Sequence, residues 1–190
     1  MKFICFCVFV FLYSCSNRNS ESNSESNIDT LNFEDETSMD NVFSKYGVSL
    51  KLPIDWVLKD SVKSQFYGFA EDCEDTVTFC SNIVIQFAKN ENKNSLEEVT
   101  DLLVSSLPER FKTLKILAIN DFEADGVVLK VVDFMMLEEG VSLGSTSAFA
   151  IYDDNIISLY FTGKNFPEGA YPVERAMMMG ILQSLEFETL

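Results

Sequence analysis

Three textures follow one another along the chain. Residues 3–13 are unbroken apolar, aromatic or cysteine, after a start of Met1 and Lys2. Residues 16 to about 42 are rich in Ser, Asn, Glu and Asp, and SESNSESN within them is nearly a repeat. From Tyr46 the pattern turns to alternation. Val48, Leu50 and Leu52 interleave with Ser49 and Lys51, which predicts a half-buried strand, stopped by Pro53. Residues 65–70 and 80–88 predict a hairpin pair around an acidic loop. Leu96, Val99, Leu103 and Leu107 recur at helical spacing, and Ser95 with Glu98 reads as a capping box in front of them. Pro108 is expected to end that helix or begin a new turn. Residues 114–122, 127–137, 141–152 and 156–163 predict four further strands. Their turns carry Asp125-Gly126, Glu139-Gly140 and Asp153-Asp154-Asn155, residues that tolerate tight reversals. Pro172 suits the first turn of a last helix, with Val173, Ala176, Met177, Ile181 and Leu185 as its expected buried side.

The predicted order is β-β-β-α-β-β-β-β-α. Four consecutive strands joined by tight turns imply an antiparallel sheet, and two helices must cover it. The fold class is therefore α+β: a largely antiparallel sheet of about six or seven strands under two helices.

The front end has its own logic. An apolar run of this length is about half of what a helix needs to span a bilayer, roughly 20 residues, and it matches the core of a secretory signal. It ends Leu12-Tyr13-Ser14-Cys15, which resembles the bacterial lipobox: Leu three before the Cys, a small residue just before it, and cleavage at the Cys. That resemblance implies residues 1–14 as a lipoprotein signal peptide and Cys15 as the lipidated new N-terminus. A thiolate is the side-chain nucleophile suited to such a transfer, and several acyl chains together anchor a domain stably. Residues 15–42 then read as the lipidated Cys and a flexible acidic tether, because such a composition cannot offset its ordering entropy. As a coil it spans about 30 Å. Residues 43–190 are the expected globular domain.

Charge narrows the partners. With Lys+Arg 14 and Asp+Glu 30 the net charge is −16, and a strongly acidic chain lacks the cations on which affinity for nucleic acid rests. Of five cysteines, Cys5 and Cys7 fall in the signal and Cys15 takes lipid. Cys73 and Cys80 remain, an even pair in an exported domain and so a candidate disulfide; two free, half-buried thiols are the alternative.

The opening VSLKLPIDW resembles the strand-Pro-x-x-Trp start of the PsbP-like fold family, which includes the photosystem PsbP subunit, a nuclear Ran-binding factor and the bacterial DcrB-like lipoproteins. The likeness extends over SLEEVTDLL, the long run of strands and the closing ILQSLEF, about residues 46–188. It implies an α/β/α sandwich and a binding or assembly role, and it carries no catalytic residue. It also makes Trp56, the only Trp, a packing residue.

The remaining motifs reduce to structure. Gly140-Val141-Ser142-Leu143-Gly144 matches a nucleophile elbow, yet a strand follows where a helix is required, and the chain has no His to take the serine proton. The run from Asp121 to Gly126 resembles half an EF-hand loop, but the twelfth position, where a bidentate Glu belongs, is Val132. Glu71, Asp72, Glu74 and Asp75 crowd one loop and could hold a hard cation, although a solvated tip is the ordinary outcome. Met177, Met178 and Met179 point about 100° apart on a helix and cannot converge on copper. No catalytic residue, cofactor or metal is assigned. The expectation is a membrane-anchored envelope lipoprotein, non-enzymatic, binding a protein partner through an apolar surface ringed by acid. A small-molecule or cation-binding lipoprotein is the alternative, with hydrolysis by paired carboxylates third.

Overall fold

The computed structural model describes residue 39 and residues 41–62, 65–73, 79–111, 113–138, 141–164 and 171–188. The signal segment, Cys15 and nearly all of the tether lie outside the described residues. In chain order the elements are β1 Asn41–Lys45, β2 Val48–Leu52, β3 Trp56–Val62, β4 Phe66–Glu71, β5 Asn82–Lys89, α1 Leu96–Arg110, β6 Leu114–Ala124, β7 Val127–Glu138, β8 Val141–Tyr152, β9 Asn155–Lys164, α2 Tyr171–Gln183 and β10 Glu186–Phe187. An antiparallel seven-stranded sheet runs β3-β4-β5-β9-β8-β7-β6, and a three-stranded sheet runs β1-β2-β10. The α+β class is as expected.

Alternation sorts the side chains onto two faces. Ile83, Ile85 and Phe87 of β5, Leu129 and Val131 of β7, and Ile157, Leu159 and Phe161 of β9 form one core with the small sheet and with Met178, Ile181 and Leu182 of α2. Val132, Phe134 and Met136 of β7, with Leu143, Phe149 and Tyr160, form the other core against Val99 and Leu107 of α1. The large sheet is thus the middle layer, with α1 on one side and α2 with the small sheet on the other. Trp56 is buried and stacks on Phe161, ring centroids 6.1 Å apart and planes 10° from parallel. Its role is packing.

The hairpin turns follow from residue type. Tyr46-Gly47, Asp125-Gly126 and Asp153-Asp154 all sit at positive φ, 54° and 73°, 47° and 76°, 46° and 57°. This is the two-residue geometry that matches strand twist. The capping box of α1 is present: Ser95 Oγ accepts from the Glu98 N–H, and Glu98 Oε2 accepts from the Ser95 N–H at 2.7 Å.

Several expectations need correction. The domain begins earlier than residue 43: β1 starts at Asn41, whose side-chain amide donates to the Trp56 carbonyl at 2.9 Å. Phe43 then enters a ring cluster with Tyr67 and Phe69. Pro108 does not end α1, which runs on to Arg110. At that position the proline forfeits one bond, to the Val104 carbonyl, in the final turn, and the Phe111 N–H closes the end on the Leu107 carbonyl at 3.0 Å. In α2, Val173 and Ala176 are exposed. The buried stripe is Tyr171, Met178, Ile181 and Leu182, and buried Leu185 lies past the helix end. Three strands, β1, β3 and β10, were not expected at all.

Candidate functional site

Two places gather chemistry-bearing side chains. The first is buried. Asp133 of β7 is 2% exposed and faces Thr146 across the β7–β8 register. Arg175 of α2 reaches it from above: Nε and Nη2 both donate to Oδ2, each at 2.8 Å. Thr146 Oγ1 donates to Oδ1 at 2.7 Å. With that proton committed, the Tyr171 hydroxyl, hydrogen-bonded to Thr146 Oγ1, must be the donor to it. Burial pushes the Tyr171 phenol well above the ordinary tyrosine range, and the Thr146 bond opposes this only in part. The Tyr171 ring lies directly over Gly144, where any Cβ would stand inside the ring's van der Waals envelope. One turn on, Glu174 Oε2 accepts from Ser81 Oγ at 2.8 Å, and its stem packs over Gly163.

This cluster pins α2 to the sheet. Asp133 is the only buried carboxylate among the described residues, and both its oxygens are committed to α2 and β8. The chemistry on offer is a closed clamp.

The second place is the outer strand pair. Strand β6 ends the large sheet and bonds only to β7. Among the described residues it carries the densest run of exposed aliphatic side chains: Ile116, Leu117 (47% exposed) and Ile119 (48%). The register slips between Ile116 and Ala118, leaving Leu117 as a bulged residue, and from Ala118 to Ala124 the pairing is regular. In that regular half Ile119, Asp121 and Glu123 stand on the α1 side, opposite Val132, Lys130 and Val128. Lys130 Nζ contacts Asp121 Oδ1 at 2.6 Å and Glu97 Oε1 of α1 at 3.5 Å. The hydrogen bond that Lys130 donates to Asp121 holds its ammonium above the ordinary lysine pKa. Two carboxylates, Glu97 and Asp121, share this one cation, and Glu123 stands two residues on from Asp121 on the same face. The edge is therefore apolar in its first half and acidic in its second. The sequence marked β6 as a strand; nothing local said it would be the last in the sheet.

The other candidates resolve plainly. Cys73 and Cys80 stand at disulfide-bonding distance with Cα atoms 6.1 Å apart. Of the acidic loop, Glu71 and Asp72 are described, with Asp72 paired to Lys59 at 3.1 Å; Glu74 and Asp75 lie outside the described residues. No cluster of three potential metal ligands occurs among the described residues. Ser142 and Gly144 lie within strand β8 and Gly140 is outside the described residues. The Asp125 carboxylate of the EF-hand-like run accepts the Phe187 N–H at 2.8 Å, which ties β10 to the β6–β7 turn. Met178 is buried in the α2 core with Met177 and Met179 at its margin.

No family model matches the chain, and no curated protein matches it. Solved structures do. Cyanobacterial PsbP (CyanoP) from Synechocystis sp. PCC 6803 aligns with a TM-score of 0.58 at 11% identity, over 84% of this chain and 98% of that one. The chain has the PsbP-like fold. The Ran-binding protein Mog1p of Saccharomyces cerevisiae gives 0.58 at 11% identity over 79% and 96%. LpqN of Mycobacterium tuberculosis, a protein involved in cell envelope biogenesis, gives 0.58 at 9% over 75% and 83%. At such identity the likeness is one of PsbP-like architecture, and no site residue is transferred. No described helix is long and apolar enough to cross a membrane.

Proposed function

We propose that this protein is a DcrB-like envelope lipoprotein, anchored through a diacylglyceryl group on Cys15, which acts without catalysis as a binding or assembly factor for a protein of the bacterial envelope. The observation that carries the reading is the outer strand pair: Ile116, Leu117 and Ile119 are exposed on an edge that no further described strand pairs. Exposed apolar residues gathered beside charged ones mark interaction sites on soluble domains. Two supports stand beside it. The one buried carboxylate described is consumed in a structural clamp, and PsbP-like neighbours include a Ran-binding protein and a protein of envelope biogenesis. The full lipidated chain, purified in detergent from envelope extract, should retain a defined protein that the variant Ile116→Lys/Ile119→Lys loses while keeping its fold. Retention of the same protein by both chains would overturn the reading.

A second reading has one observation in its favour. Gln86 Oε1 and Ser147 Oγ are buried without hydrogen-bond partners among the described residues, and with the buried Tyr160 hydroxyl they lie on the α1 face of adjacent strands β5, β8 and β9. A small polar ligand between α1 and the sheet would satisfy them. Such a ligand should raise the melting temperature of the parent and not of Tyr160→Phe.

A further inference from the structure

We infer that the partner docks by adding an extended segment antiparallel to β6, and that this segment carries basic residues at two alternate positions followed by an aliphatic one. The inference rests on the reading of β6 as the binding surface and goes further by naming the mode and the chemistry.

Three observations lead there. First, β6 has one neighbour only among the described strands, so no described strand pairs the N–H and C=O groups on its outer side. Such an edge is a template for another. Second, the bulge at Leu117 divides it. Bulges disturb the spacing of backbone groups and so spoil pairing on the outer side too. The regular stretch from Ala118 to Ala124 can accept about seven residues of partner, while the exposed aliphatics before the bulge offer side-chain contact. Third, the pleat fixes what each partner side chain meets. On the α1 side an antiparallel segment passes Glu123, then Asp121, then Ile119, since alternate residues share a face. Directly opposed residues across antiparallel strands interact, favourably for unlike charges and unfavourably for like ones. Asp121 and Glu97 already share Lys130, and Glu123 adds a further negative charge. Two cations at alternate positions neutralise the row, and an aliphatic residue two further on covers Ile119.

The same logic disfavours a second copy of this chain. Self-pairing along Ala118–Ala124 centred on Asp121 sets that carboxylate against its twin, and pairing centred one residue away sets Asp121 against Glu123 or Ile119. Each molecule also brings a net charge of −16. Acidic side chains on an edge strand are a common guard against self-association, and here they leave the edge open to a partner of opposite sign.

The test uses the isotope-labelled full chain and three synthetic peptides. The probe is acetyl-Thr-Arg-Thr-Arg-Thr-Ile-Thr-amide. The second replaces both arginines by glutamate, and the third carries N-methyl groups on the amides that would face β6. Backbone hydrogen exchange is read residue by residue. The first peptide should slow exchange about tenfold or more at alternate amides between 118 and 124, with no comparable change on β3, the opposite edge. The glutamate and N-methyl peptides should leave β6 unaltered, and Asp121→Lys/Glu123→Lys should weaken the first peptide about tenfold. Unchanged β6 exchange at saturating peptide, or equal binding of the N-methyl peptide, overturns strand addition. The two levels separate cleanly: if the native partner is lost from Ile116→Lys/Ile119→Lys while no peptide protects β6, the surface stands and the mode fails.

Discussion

The clamp between α2 and the sheet makes an asymmetric prediction. Asp133 has a side chain 3% exposed, whereas that of Arg175 is 37% exposed. Arg175→Met leaves a buried carboxylate with the Thr146 hydroxyl as its remaining donor. Orphaning one half of a buried pair costs about 3–5 kcal/mol, and the surviving Thr146 bond places the loss near 3. In Asp133→Leu the guanidinium turns to water, so little is lost on its side. What remains is the chain of hydroxyls, Tyr171 to Thr146, deprived of its acceptor, at about 1 kcal/mol for each weakened bond and about 2 in all. The double variant removes the pair together and leaves no buried charge, so its cost should fall below the sum of the single losses by about 1.5–3 kcal/mol. Urea unfolding of the four proteins, followed by Trp56 fluorescence, supplies the cycle. Losses that add to within 0.5 kcal/mol, or Arg175→Met less costly than Asp133→Leu, would refute the clamp.

Other outcomes follow from the same structure. Gly144→Ala should cost at least about 2–3 kcal/mol, because the new methyl must displace the Tyr171 ring in a packed layer, and a melting temperature close to the parent's would contradict that placement. Since the folded-state pKa of Tyr171 is raised, its contribution to stability is complete below the unfolded value of about 10 and declines as pH rises above it. The decline is about 1.4 kcal/mol per pH unit until the folded form titrates, and Tyr171→Phe should flatten the fall in an alkaline unfolding series. Cys73 and Cys80 should resist alkylation in the exported protein until reduced, the bridge contributing about 2–3 kcal/mol by loop closure; rapid labelling of both without reductant would exclude the bond. Cys15→Ser should release the domain from detergent phase, and unchanged partitioning would exclude the lipid anchor.

The sequence carried the middle of the sheet and lost its margins, for a physical reason. Strands β5, β7, β8 and β9 have near-continuous or alternating apolar residues because both faces are covered, and each was legible. β3 reads WVLKDSV: it is an edge strand, its Lys59-Asp60-Ser61 run breaks the alternation, and a bulge falls between Leu58 and Asp60. β1, NVFSK, has Phe43 as its one core residue and follows directly on the polar tract. β10 is two residues long and exists because β2 and the Asp125 carboxylate hold it, a constraint from distant residues. The same limit applied to the clamp: Asp133 and Arg175 are 42 positions apart, and neither stands in a motif. For the edge, the aliphatic and acidic residues of β6 were visible as a strand, but only the sheet order reveals that it is the last of the described strands.

Placement of the partner-binding surface is tested most directly by photo-crosslinking in the living envelope. A benzophenone side chain is introduced at Leu117 or Ile119 on β6, or at Val173, an exposed residue of α2 on the opposite side of the sheet. The expected result is a defined crosslinked protein from positions 117 and 119, none from 173, and loss of the product when Asp121 and Glu123 are changed to Lys. The same product from Val173, or a β6 product indifferent to the charge reversal, would contradict a partner-binding surface at the acid-rimmed edge.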